Sequence, residues 1–307
     1  MGRSRKLNFL VGESIFRGVQ SLVPFGKRSK VVNEAGPSRN VDICADTMMS
    51  KNPIGSLLMK LFEWIKLLPC LFSPFNSEVD KLVIVTGADS SHYKSLRQFL
   101  SSLFVHEPDI EVIVFDLGLI ESERQCLKDT FPRAELRLFD YSQYPDYFNI
   151  KVNAGEYAWK PVILYDALSE FKCCVCWMDA GNLVTKRLFW LRRITKAVGM
   201  YSPRSSGLIS DWTHPRTVEF LGAFDVLHKP NLNGACVAVC YQNSKVRDLV
   251  SQWKEYALIR ECIAPVGSCR KNHRQDQAVL SVIGHQSGIT KNMPRGHYGF
   301  RVHQDID

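Results

Sequence analysis

Two carboxylates and a lysine carry the chemistry this sequence offers. Asp179 ends a mostly apolar run over residues 171–178 and is followed by Ala180, Gly181 and Asn182. Such a run reads as a buried strand, and a carboxylate at its end can hold a hard divalent ion that bridges two phosphates. Lys160, within Tyr157-Ala158-Trp159-Lys160, can neutralise charge on a departing diphosphate. Asp276 follows a polar stretch and opens a helical pattern, where a carboxylate can face a crevice and act as general base on an acceptor hydroxyl. Each has a plainer reading: a turn cap, a solvated helix lysine, a helix N-cap.

The elements that must position these groups are read from hydrophobic period. Strands are expected over residues 81–90, 111–118, 134–141 and 173–180, with helices over 92–105, 121–130 and 157–170 between them. Strands separated by helices at this spacing predict a mostly parallel, Rossmann-type α/β sheet flanked by helices on both faces. Open sheets of this kind bind ligands beyond the carboxyl ends of their strands, and Asp179 falls at such an end. The alternation loosens after residue 200. A strand is expected over 231–241, a helix over 244–259 and another over 273–286. The first strand ends in Thr86-Gly87-Ala88-Asp89, a turn over which a nucleotide can lie. The glycines of a dinucleotide fingerprint do not follow it, which disfavours a nicotinamide enzyme.

Four segments, in order, resemble glycosyltransferases of the GT-A fold. Tyr157-Ala158-Trp159-Lys160 is similar to the start of their conserved helix. Trp177-Met178-Asp179-Ala180-Gly181-Asn182 is similar to their metal-binding Asp-X-Asp strand end. Asn231-Leu232-Asn233-Gly234-Ala235 is similar to their Phe-Asn-Ala-Gly segment, and Asp276-Gln277-Ala278-Val279-Leu280 to their Asp-Gln-X-X-Leu helix. The likeness spans about residues 80–300 and is nearest to a poorly characterised eukaryotic group with Trp-X-Asp-Ala-Gly in place of Asp-X-Asp. It implies transfer of a sugar from a nucleotide-sugar donor to a hydroxyl of a glycan or protein, assisted by manganese or magnesium. On that reading Asp276 and Lys160 are catalytic, with Asp276 acting as base in an inverting enzyme or steadying sugar or acceptor in a retaining one. Thr86, Gly87, Asp89, Tyr157, Trp159, Asn182, Asn233, Gly234, Gln277 and Arg301 would bind substrate. Asp179, His297 and His303 would hold the metal. The departure is Gly181, which stands where the second Asp of the signature belongs, so a metal has one firm carboxylate there. That departure favours the alternative of a catalytically inactive relative that binds a glycan or partner.

Composition bounds the rest. The chain has 307 residues, 45% hydrophobic and 11% aromatic, enough for a large globular core. Of its net charge of +8, residues 1–53 hold nine Lys/Arg against four Asp/Glu, so the body is near neutral. We expect residues 1–53 to form a basic disordered arm, with no nucleic-acid motif beside it, and residues 80–307 to form the transferase-like domain. Residues 54–75 are apolar and long, but Lys60, Glu63 and Lys66 interrupt them. Each central charge costs about 2.5–3.5 kcal/mol on insertion, so an amphipathic helix on a membrane or on the protein's own core is expected over a simple span. With the basic arm ahead of it, this layout and the resemblance point to the Golgi or another endomembrane, the cytoplasm being the alternative. Cys173, Cys174 and Cys176 read as core thiols. Cys262 and Cys269 bracket a loop that a disulfide would close in an oxidising lumen. Asp211-Trp212-Thr213-His214 offers an acceptor contact in a long loop, and equally a Trp packed on the sheet.

Overall fold

The computed structural model describes residues 53–72 and 81–306, so the expected arm lies outside the described residues apart from Pro53, which begins the first helix. The central sheet is built from β1 (Leu82–Asp89), β2 (Glu111–Gly118), β3 (Ala134–Leu138) and β4 (Cys174–Met178), all parallel. A short strand β5 (Leu183–Val184) lies off that sheet, β6 (Met200–Tyr201) is its edge, and β7 (Arg204–Leu208) pairs with β8 (Pro230–Leu232). Strand β9 (Cys236–Cys240) enters the sheet antiparallel between β4 and β6, giving the order β3-β2-β1-β4-β9-β6, and β10 (Phe300–Arg301) pairs with β5. The expected mainly parallel α/β sheet is what the chain forms.

Strands β1, β4 and β9 are apolar along nearly their whole length because both sheet faces are covered. Alternate residues feed two separate cores, as the two-residue period of a strand requires. Val83, Val85, Val175, Trp177, Val237 and Val239 pack with helices α4 (Trp159–Phe171), α6 (Ser244–Ala257) and α7 (Gln275–Gln286). Leu82, Ile84, Cys174, Cys176, Met178 and Cys236 pack with α2 (Tyr93–His106) and α5 (Phe189–Val198), and Leu127 of α3 (Glu121–Thr130) joins them. The thiols are core side chains as expected. Burial pushes Cys173 up to about 11 and Cys262 up to about 12. Cys262 is buried, Cys269 is exposed and both are free, so the loop disulfide is absent.

Three expectations change in detail. The strand expected over 231–241 is two, because Asn233 Oδ1 accepts from Ala235 N at 2.9 Å and turns the chain between β8 and β9. The helix expected from residue 157 begins at Trp159. Asn153, Ala154, Gly155, Glu156 and Tyr157 all have positive φ and form a left-handed turn ahead of it. Residues 53–72 form one helix, α1 (Pro53–Phe72), which docks on the body through buried Leu67 and Cys70, through Trp64 edge-on to Trp190 at 6.4 Å, and through Glu63 Oε2, which accepts from Arg295 N at 2.8 Å. Residues 73–75 of the expected segment lie outside the described residues. No described helix is long and apolar enough to cross a membrane.

Candidate functional site

The strand order reverses between β1 and β4. β2 and β3 lie on one side of β1, and β4, β9 and β6 on the other; sheets of this kind take their ligands beyond the carboxyl ends of the strands at such a reversal. Asp179 is the first residue past β4. Its backbone N–H donates to Ala235 O at 2.9 Å and its carbonyl accepts from Asn182 N at 3.0 Å, which fixes the turn. The indole Nε1 of Trp177, buried in the strand below, donates to Asp179 Oδ1 at 2.5 Å. As part of the Trp-X-Asp-Ala-Gly segment Trp177 has no role legible from residue type and spacing. Here it orients the carboxylate.

Lys160 lies in the first turn of α4, fully inside the protein. Its ammonium is 3.1 Å from Asp179 Oδ1, 3.2 Å from Asp276 Oδ2 and donates to Gly234 O at 3.1 Å. The rings of Tyr157, Trp159 and Trp177 surround it, with centroids 5.6, 5.9 and 5.5 Å away, adding cation–π attraction. Burial works against this charge, but Asp179 and Asp276 outweigh it and hold the ammonium above its ordinary range. Asp276 is also buried, in the first turn of α7. Residue 274 is the N-cap there, so Asp276 is not capping the helix. Among the described residues no donor other than the Lys160 ammonium reaches Asp276 Oδ2. Burial pushes its carboxyl up against the pull of Lys160, and Asp179 adds to the rise. One cation between two carboxylates leaves the cluster net negative. Asp179 is the open member, with 36% of its side chain exposed against 7% for Asp276.

Several expected binding residues gather here. Gly234 passes so near that a Cβ on it would sit 3.2 Å from Asp276 Oδ2. Gln277 Oε1 accepts from Gly234 N at 3.4 Å, and Asn233 N donates to Ser202 Oγ at 2.8 Å. Asn182 donates to Ala235 O at 2.7 Å, while its buried Oδ1 finds no donor. Tyr157 and Trp159 contribute their faces to Lys160. The left-handed turn before them is tied to a second strained residue, Gln275 with φ of 36°, whose Nε2 donates to buried Glu156 Oε2 at 3.2 Å. Residues held in the left-handed region cost of order 1–3 kcal/mol each, and such strain gathers at functional sites. Neither Glu156 nor Gln275 was legible as a site residue, since their pairing depends on backbone conformations no pattern encodes.

Other expected residues stand elsewhere. Thr86 and Gly87 lie within β1, buried among the strands. Asp89 ends β1 and accepts from Ser91 Oγ at 2.6 Å. Its contact with His92 Nδ1 at 3.0 Å holds the carboxyl down to about 2 against partial burial. Arg301 is exposed on β10, opposite Leu183. His297 packs edge-on to Phe300 at 5.7 Å, and burial together with His303 lowers its basicity. Among the described residues no group of three His, Cys, Asp or Glu side chains converges to hold a metal, so the expected trio of Asp179, His297 and His303 is not assembled. Trp212 is covered by the Arg274 guanidinium at 4.2 Å. Asp179, the exposed carboxylate, could contribute one ligand to a hard ion that completes its shell with waters and substrate phosphates.

The model of a family described as a protein of unknown function, DUF1647, matches residues 59–165. No curated protein matches the chain. Among solved structures, the chain is similar to galactosyltransferase LgtC in complex with donor and acceptor sugar analogues, at 17% identity over 64% of this chain and 69% of that one, TM-score 0.43. It is similar to mouse xyloside xylosyltransferase 1, at 12% identity over 72% and 96%, TM-score 0.45. It is similar also to core-mannan synthase A of Aspergillus fumigatus in its Mn/GDP form, at 8% identity over 66% and 69%, TM-score 0.45. These likenesses do not bear on what this chain binds.

Proposed function

We propose that this chain is a GT-A-type glycosyltransferase, moving a sugar from a nucleotide-sugar donor to a hydroxyl of a glycan or protein. The observation that carries the reading is the buried Lys160 ammonium, which draws a strand-end and a helix-start carboxylate together at the strand-order reversal. A diphosphate cannot approach that net-negative cluster without a cation, and Asp179 is the carboxylate exposed enough to hold one. Bound manganese or magnesium would neutralise charge on the departing nucleoside diphosphate. Lys160, with its contacts directed inward, acts by fixing Asp179 and Asp276 in place. Asp276, 3.2 Å from the same ammonium, would steady the sugar or the acceptor through its charge. In transfer, the bond from anomeric carbon to diphosphate breaks with its electron pair leaving on the phosphate, and the acceptor oxygen bonds the carbon as its proton passes to the leaving phosphate oxygen. Holding those atoms in reach is the larger part of the acceleration such a site supplies.

The second reading, a catalytically inactive relative, is favoured by Gly181 and by the depth of Asp276. Titration with UDP and MnCl2, followed by melting temperature, separates the two. The transferase predicts a manganese-dependent rise that Asp179→Ala abolishes. Absence of a response to every nucleoside diphosphate selects the inactive relative.

We infer also that α1 rests on the surface of an endomembrane such as the Golgi. Leu57, Leu61, Phe62, Ile65, Leu68 and Phe72 stay exposed while Leu67 and Cys70 face the body, so the helix keeps a wide apolar face. Flotation with phosphatidylserine-containing vesicles should carry the wild type and fail for Leu61→Glu/Ile65→Glu. Equal flotation of both would refute the seating.

A further inference from the structure

We propose that Asp305 supplies the second carboxylate of a divalent-cation site begun by Asp179, so that the C-terminal segment completes what Gly181 leaves out. The inference rests on the reading of Asp179 as a cation ligand.

A Cβ built on Gly181 would overlap the Asp305 carboxylate, lying 2.5 Å from its Cγ. Real Cβ atoms do not stand that close to another atom. The volume in which a side chain at position 181 would start is therefore already filled by a carboxylate from the far end of the chain, which a Cβ there would have to displace. The acid missing from the strand-end turn is replaced in space by one that sequence places elsewhere.

The placement is built, not incidental to a loose tail. Strand β10 pairs antiparallel with β5, bringing Arg301 opposite Leu183. The zipper continues as Gln304 N donates to Gly181 O at 2.7 Å. Gln98 Nε2 donates to Gln304 O at 2.7 Å, and Ile306 N donates to Ser95 Oγ at 2.9 Å, both partners lying on α2. Both neighbours of Asp305 are thus pinned, and the carboxylate between them is held over the turn. No ion pair among the described residues engages it.

A buried oxygen in the same turn points the same way: Asn182 Oδ1, on a fully buried residue, has no donor. Asp179 shares the one ammonium with Asp276, and Asp305 has no ion pair among the described residues, so carboxylates outnumber cations at the turn. Two carboxylates, waters and the phosphates of a donor are the shell that manganese or magnesium takes.

The test is Mn2+ binding by the full chain, with no nucleotide, followed by the electron paramagnetic resonance signal of the free ion. Wild type is expected to deplete that signal. Asp305→Asn should weaken binding at least tenfold. Gly181→Ala should do the same by pushing the tail carboxylate aside while every acid remains in the sequence. Asp109→Asn, at an exposed acid paired with Arg133, is the control and should match wild type. Unchanged circular dichroism and melting temperature in Asp305→Asn would show that the loss is not unfolding. Should Asp179→Asn abolish binding while Asp305→Asn and Gly181→Ala stay within twofold of wild type, the inference is overturned and the role of Asp179 stands. Failure of wild type to bind Mn2+ overturns both.

Discussion

Replacing Lys160 by Met keeps the length of the side chain and removes its charge inside a closed pocket. Asp179 is half open and can be rehydrated, but Asp276 is left as a buried carboxylate with no counter-ion. Removing one partner of a buried pair costs about 3–5 kcal/mol, and in a chain of this size that lowers the melting temperature by roughly 6–20 °C. Asp276 already titrates above its ordinary range, and without Lys160 it rises further. A carboxyl raised in the folded state binds a proton that the unfolded chain releases. Its contribution is therefore most favourable in acid and declines as pH rises from the unfolded value, about 3.9, to the folded one. The deficit of Lys160→Met relative to wild type should accordingly be greatest at neutral pH and shrink towards pH 4. Adding Asp276→Asn should restore at least half of the loss and remove the extra pH dependence, giving a coupling energy above ~1 kcal/mol. Urea unfolding of the four proteins between pH 4 and pH 8 measures this. A cost below about 1 kcal/mol at pH 7, or additivity of the two substitutions, would refute the argument that Lys160 holds the cluster together.

Further outcomes follow from the same structure. His273 is fully buried, its Nε2 2.9 Å from Ile263 O and its Nδ1 accepting from His214 N at 3.2 Å, and burial lowers it to about 4. The unfolded chain takes up the proton first, so stability should fall as pH drops from about 6.5 to about 4, by up to roughly 3 kcal/mol from this residue; His273→Gln should flatten the slope, and an unchanged urea profile would exclude the mechanism. Lys172 ends α4 with φ of 50°, a conformation that suits glycine. Lys172→Gly should raise stability by about 0.5–1 kcal/mol in thermal melts, and a loss would count against backbone strain there.

The sequence alone was enough for the sheet. The apolar runs of β1, β2 and β4, with helical patterns between them, dictate parallel strands covered on both faces, because a strand that is apolar throughout has no side it can show to water. It was enough also to single out Asp179, Lys160 and Asp276, since a charge at the end or the start of an apolar element is conspicuous against its surroundings. Other features were decided only by the tertiary structure. Lys160 lies inside the protein because three aromatic rings and two carboxylates from separate elements close around it, and no local pattern records that enclosure. Thr86 and Gly87, inside the strand expected over residues 81–90, are closed to a ligand because β2 pairs along them and the core covers them. His297 and His303 do not join Asp179, while Asp305 does reach its turn, because pairing of β10 with β5 determines which C-terminal side chain arrives there. Periodicity along a chain reports which face is buried; which distant residues meet is fixed by strand register and backbone conformation, and these exist only once the whole domain has closed.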